Sequence, residues 1–183
     1  GSDVNHIRNV LRMRKGDELI ICDGQGKDYY CIIDSADGEA VSAQIISSVQ
    51  SDRELPSKIT LFQGLPKADK MEQIIQKAVE LGVYEIIPVM TARSIVKLDD
   101  KKREAMKLKR WQAIAESAAK QSQRGIIPVV GAVTDFKAAL EQTKAMDMAI
   151  IPYENERGMK ATRAVMDSLA GYKTIGVFIG PEG

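Results

Sequence analysis

From Lys58 onward the sequence alternates short apolar runs with stretches of helical period, and this alternation constrains the fold more than any other feature. "KITLFQG", "YEIIPV", "IIPVV", "MAIIPYE" and "TIGVFIG" read as strands. Between them, "ADKMEQIIQKAVELG", "KREAMKLKRWQAIAESAAKQS", "TDFKAALEQT" and "GMKATRAVMDSLAG" read as helices. Strands apolar on both faces and joined by helices predict a parallel sheet covered on both sides, an α/β fold. The helix over 68–82 shows the pattern well: Met71, Ile74, Ile75, Ala78 and Val79 form one stripe. Asp69 and Glu72 offer capping at its start, and Gly82 stops it.

In an open parallel sheet, ligands sit beyond the carboxyl ends of the strands. That rule selects four segments: "QGLPKADK", "TARS", "YENERG" and "GPEG".

The region before Lys58 follows different rules. Residues 4–15 predict a short amphipathic helix stopped by Gly16. "ELIICDGQGKDYYCIIDS" predicts a β-hairpin, and "GEAVSAQIISSV" a further strand after the Asp37-Gly38 turn. Gly24 and Gly26 belong to turn chemistry, because no helix follows them as a dinucleotide loop requires. The polar, Pro56-containing "SDRELPS" reads as a linker. Two domains are therefore expected: a small β-barrel over 1–53 and the α/β domain over 57–183.

Several function classes are disfavoured. No apolar run approaches the ~18–20 residues of a membrane helix. "GSDVNHIRNV" lacks the apolar segment of a signal peptide, and its Gly-Ser reads as a cloning remnant or an internal start. Cys22 and Cys31 lack metal spacing and read as reduced core thiols of a cytosolic protein. His6 is the one histidine, so His-rich metal sites are excluded and no metal is expected. A phosphate-binding GxxxxGK[ST] loop is missing, which favours a nucleoside without a phosphate chain over ATP.

A net charge of +1 makes no case for nucleic acid, but its distribution is more informative. "HIRNVLRMRKG" carries Arg8, Arg12, Arg14 and Lys15 with no acid among them. "KLDDKKREAMKLKR" holds seven basic residues against three acidic ones. Such clusters meet phosphates, or form solvated helix faces whose charges pair at helical spacing. Lys67 and Lys70 stand at a helix start, where the macrodipole already favours anions; they bind an anion or are simply solvated. Gly180 and Gly183 permit close ligand approach, Pro181 stiffens the turn and Glu182 supplies a carboxylate, though GPEG alone equally describes a plain tight turn. Arg124 suits a helix C-terminus, and Trp111 reads as core.

"HIRNVLRMRKGD", "QGLPKADKMEQIIQKAVELGV", "ARSIVKLDDKK", "RWQAIAESAAKQSQR", "IPYENERG" and "VFIGPEG" occur in this order, and the set resembles the RsmE family, the 16S ribosomal RNA uracil-N3 methyltransferases. The resemblance spans the whole chain. It implies a PUA-like RNA-binding β-barrel followed by a SPOUT-type methyltransferase domain, with a trefoil knot that binds S-adenosylmethionine. It also implies a cytoplasmic homodimer acting on 16S rRNA in the small ribosomal subunit. In the family, an N-terminal strand comes first, and a further glycine, helix, strand and second cofactor loop follow GPEG. Without those later segments the knot and pocket are expected to be incomplete and the chain inactive.

Residue by residue, the resemblance places Ile179, Gly180, Pro181, Glu182 and Gly183 in the first cofactor loop, and Leu65 and Pro66 in the loop after the first strand. It places Arg124 near substrate or cofactor, as the cation that stabilises an anionic uracil, with Glu182 as a second catalytic candidate. Arg8, Arg12, Arg14, Lys67, Lys70 and Arg93 are the expected RNA contacts. Two other readings stay open: a non-catalytic RNA-binding or ribosome-assembly protein, and a related SPOUT enzyme acting on another RNA.

Overall fold

β-branched and aromatic residues concentrate in three runs before Ser51, and these pair as an antiparallel sheet. In a computed structural model, which describes every residue except Gly38, Ala68, 92–100, 154–158 and Gly183, the chain forms two compact units, Gly1–Glu54 and Leu55–Gly183. In the first unit, β1 (Glu18–Cys22), β2 (Lys27–Ser35) and β3 (Ser42–Gln50) lie in the order β1-β2-β3. The β1–β2 turn is built by Gly24 and Gly26, at φ 71° and 96°, and by Asp23, whose Oδ1 accepts from the backbone N–H groups of Gln25 and Lys27. Asp28, 7% exposed, is ion-paired with Arg53, which fastens the end of the unit onto β2. Cys31 is buried, and both cysteines are free thiols. Burial raises the Cys22 thiol pKa above its ordinary value.

The single helix expected over 4–15 is instead a short α-helix, α1 (Ser2–Asn5), continued by a π-helical turn over His6–Val10. Arg12, at φ 55°, turns the chain in the left-handed region before Gly16 is reached. The turn into β1 is then closed by Asp17, whose carboxylate accepts from the Arg14 N–H at 2.7 Å.

The second unit holds the expected parallel sheet. Its strands are β4 (Lys58–Gly64), β5 (Glu85–Met90), β6 (Val129–Val130), β7 (Thr134–Asp135), β8 (Met148–Ile150) and β9 (Thr174–Ile179). The order is β6-β5-β4-β9-β8, with β7 also on β5, and every pairing is parallel. Pro88 is tolerated inside β5 because the partner changes there. Ile86, two residues earlier and facing the same side, accepts from Gly131, and β7 takes over only at Val89.

Helices cover both faces. α2 (Lys70–Glu80) and α3 (Lys101–Gln121) lie over one core, where Met71, Ile75 and Val79 meet Trp111, Ala115, Ala118, Ala119 and Ile86. The alanines let the two helices approach closely. On the opposite face, Phe62 and Phe178 stack at 4.5 Å with Ile87, Val89 and Ala139 of α4 (Phe136–Thr143). α5 (Met159–Ser168) precedes β9. At the amino edge, Asp147 accepts from the N–H groups of Lys173 and Thr174 and from the Thr174 hydroxyl. The backbone bond from Thr174, then its hydroxyl and the Lys173 N–H, hold this carboxyl below its ordinary pKa.

Candidate active site

β4 and β9 lie side by side, with Gln63 opposite Ile179. Their following loops therefore leave from one edge of the sheet, the carboxyl edge where such folds bind ligands. Gly64 makes the approach possible. A Cβ there would lie 2.8 Å from Pro181 N and 2.9 Å from Pro181 Cδ. Leu65 and Pro66 are buried, and the Leu65 N–H donates to Val89 O at 2.9 Å, tying this loop to β5. Ile179 and Pro181 are half-buried, whereas Gly180 and Glu182 are exposed. Gly183 lies outside the described residues.

Gln63, which sequence reasoning missed, holds the two loops together. It is 2% exposed, and its Nε2 donates to Gly64 O at 2.9 Å and to Gly180 O at 3.0 Å. The signal was present: "TLFQG" sets an uncharged polar residue at the end of an apolar strand, where a buried amide must find partners.

Lys67 and Lys70 are exposed at the entry to α2, directly after the Leu65-Pro66 loop. The expected capping is not made. Asp69 is the N-cap without a side-chain bond, and Glu72 pairs instead with Arg110 of α3 at 2.8 Å. α2 does end as expected, with Gly82 at φ 100°. Arg93 lies outside the described residues. Arg8, Arg12 and Arg14 are exposed in the first unit.

The structure does not bring Arg124 to the carboxyl edge. Its guanidinium is buried at the opposite end, where Nη1 donates to Val79 O at 3.2 Å and Val83 O at 2.5 Å. Those carbonyls end α2 just before β5 begins, beside the start of β4, where the Tyr84 N–H meets Ile59 O. A cation on the last carbonyls of a helix is electrostatically favourable. The sequence correctly paired Arg124 with a helix end; the end it stabilises is that of α2 rather than of its own helix.

Among the described residues, the carboxyl edge thus offers bare backbone at Gly180, an apolar wall at Leu65 and Pro66, and the carboxylate of Glu182. These groups suit a nucleoside cofactor, with apolar surface for the base and a carboxylate and backbone for its polar groups. Among the described residues, no group of three or more His, Cys, Asp or Glu side chains is placed to hold a metal ion.

Residues 53–183 match the family model of the RNA methyltransferase domain, and residues 1–46 that of the RNA methyltransferase PUA domain, which makes this chain an RNA methyltransferase. The chain is 41% identical to ribosomal RNA small subunit methyltransferase E of Bacillus subtilis, over all of this chain and 72% of that protein. It belongs to the ribosomal RNA small subunit methyltransferase E family. Among solved structures, the Neisseria gonorrhoeae member bound to S-adenosylmethionine is 31% identical, with TM-score 0.74 over 97% of this chain and 71% of that one. A putative methyltransferase of Legionella pneumophila, also with S-adenosylmethionine, is 25% identical with TM-score 0.70, over 98% of this chain and 81% of that one.

Proposed function

We propose that this protein transfers a methyl group from S-adenosylmethionine to N3 of a uridine in 16S rRNA of the small ribosomal subunit. The observation that carries the reading is the joining of the Leu65-Pro66 and Gly180-Pro181 loops at one sheet edge. It occurs in a chain whose whole length aligns with 72% of a small-subunit rRNA methyltransferase.

S-adenosylmethionine supplies an electrophilic methyl group on a sulfonium. What remains for the protein is alignment and exclusion of water. Leu65 and Pro66 line the donor, and Gly180 lets backbone approach it. Neutral uracil carries a proton on N3, with the nitrogen lone pair delocalised into the flanking carbonyls, so the proton must leave as the N–C bond forms. Glu182, exposed beside the loop, accepts it or orients the base. N3 lies on the pairing edge, so the target uridine is single-stranded or flipped out. Lys67 and Lys70 at the entry to α2 hold a phosphate of the same RNA, and Arg8, Arg12, Arg14 and Arg93 extend the contact. Arg124 acts at a distance, by holding α2 in place.

The working form is a homodimer in the cytoplasm. The dimer reading is supported by exposed apolar residues on α5, Val165 at 40% and Met166 at 57%. Among the described residues, no helix is long and apolar enough to cross a membrane.

The test incubates the full-length protein with labelled S-adenosylmethionine and small subunits unmodified at the site, followed by nucleoside analysis of the digested RNA. Label in 3-methyluridine is expected. Donor binding without label would move the protein to another RNA; no donor binding would leave a binding or assembly role.

A further inference from the structure

We infer that Gln63 is a positioning residue for the methyl donor: its buried amide sets the Gly180–Glu182 loop in the shape that receives S-adenosylmethionine. The inference rests on the proposed function and concerns a residue outside the resemblance-based site.

Gln63 sits between apolar neighbours in the middle of a parallel sheet, opposite Pro88 on one side and Ile179 on the other. An amide there is costly to bury unless bonded. It is bonded to the carbonyls of the two residues at which the loops leave the sheet, Gly64 on its own strand and Gly180, 117 residues away. Both acceptors are carbonyl oxygens, so the amide nitrogen must face them and the orientation is fixed by chemistry.

The acceptor explains what the bond does. The Gly180–Pro181 peptide has no N–H, because Pro181 has none to give. Its carbonyl is the peptide's one polar group, so the bond from Gln63 sets the peptide plane. That plane fixes the direction in which the backbone runs on to Glu182. Gly64 allows Pro181 to approach, and Gln63 chooses the conformation in which it does so. Gly180 has no Cβ to restrict its own dihedrals, so without the bond the loop samples several shapes. Binding then selects one of them, at a cost in affinity.

Leucine at 63 has a similar volume and keeps the sheet packed, but cannot donate. Glutamate can donate only when protonated; ionised, it faces two carbonyl oxygens. The test titrates S-adenosylmethionine into full-length wild type, Gln63→Leu and Gln63→Glu by calorimetry, between about pH 5 and pH 8, with methyl-transfer kinetics alongside. Expected for Gln63→Leu is a Kd and a donor KM raised about tenfold, equivalent to ~1.4 kcal/mol. Its kcat at saturating donor should stay within about threefold of wild type. For Gln63→Glu, donor binding should weaken as pH rises, while wild type shows no such trend. Folded variants that bind within about twofold of wild type, with no added pH dependence in Gln63→Glu, would overturn the inference. Should Gln63→Leu fail to fold, the pH trend of Gln63→Glu decides alone. Failure of wild type itself to bind the donor would reject the proposed function instead.

Discussion

Replacing Arg124 by alanine separates a structural role from a catalytic one. The side chain is 9% exposed, and its Nη1 meets the carbonyls of Val79 and Val83. The two acceptors differ. Val79 O also accepts from the Gly82 N–H at 3.0 Å and keeps that partner when the arginine is removed. Val83 O is the one whose charge-assisted bond is lost. A hydrogen bond to a charged group contributes about 1.5–3 kcal/mol, and an acceptor left dry costs a comparable amount. With some relief from entering water, the loss is about 3 kcal/mol. In a domain of this size that lowers Tm by about 10 °C. Arg124→Lys keeps the charge and one donor, and should recover roughly half of the loss. Calorimetric scans give the Tm values, and methyl transfer measured well below both transitions should stay within about threefold of wild type. A Tm within about 1 °C of wild type, together with a kcat reduced more than about a hundredfold, would refute the reasoning and return Arg124 to the chemistry.

Two further perturbations address other parts of the second unit. Gly64→Ala places a methyl 2.8 Å from Pro181 N, so backbone must move; donor Kd should rise at least tenfold, with a stability loss of about 1–3 kcal/mol, read by calorimetry and thermal scans. Asp147 has a pKa below its ordinary 3.8 in the folded state. Its contribution is therefore present above that value and lost as pH falls through the folded pKa. Asp147→Asn should flatten the fall of Tm on acidification below about pH 4 while keeping the acceptor oxygen, and parallel Tm–pH curves for the two proteins would contradict this.

Much of the second unit was legible because burial repeats with a period. The stripe Met71, Ile75, Val79 is buried as spaced, and the apolar runs of β4, β5 and β9 are the inner strands of the sheet. The strand-end rule located both loops at the carboxyl edge, since strand direction alone determines which ends share an edge. Features that depend on one specific contact were not legible. Arg12 turns the first helix early although its side chain announces no such conformation. Glu72 had a choice between capping α2 and meeting Arg110, and only the packing of α3 decides it. The bonds of Arg124 and Gln63 were not legible for a related reason. The groups they bond are main-chain carbonyls far along the chain, and a carbonyl leaves no mark in the residue letters.

The position of β9 between β4 and β8 has a consequence for how this chain is made. Lys58 of β4 aligns with Thr174 of β9, so one flank of the central strand has no partner until most of the chain has been synthesised. At about 5–20 residues per second, that delay is on the order of ten seconds. Throughout it, β5 can dock on one side of β4, while Phe62 lacks the stacking partner Phe178. β9, made long after β4, is thus the keystone between β4 and β8, and a nascent chain stalled ahead of it presents a sticky edge to its neighbours on the polysome rather than a smaller finished domain.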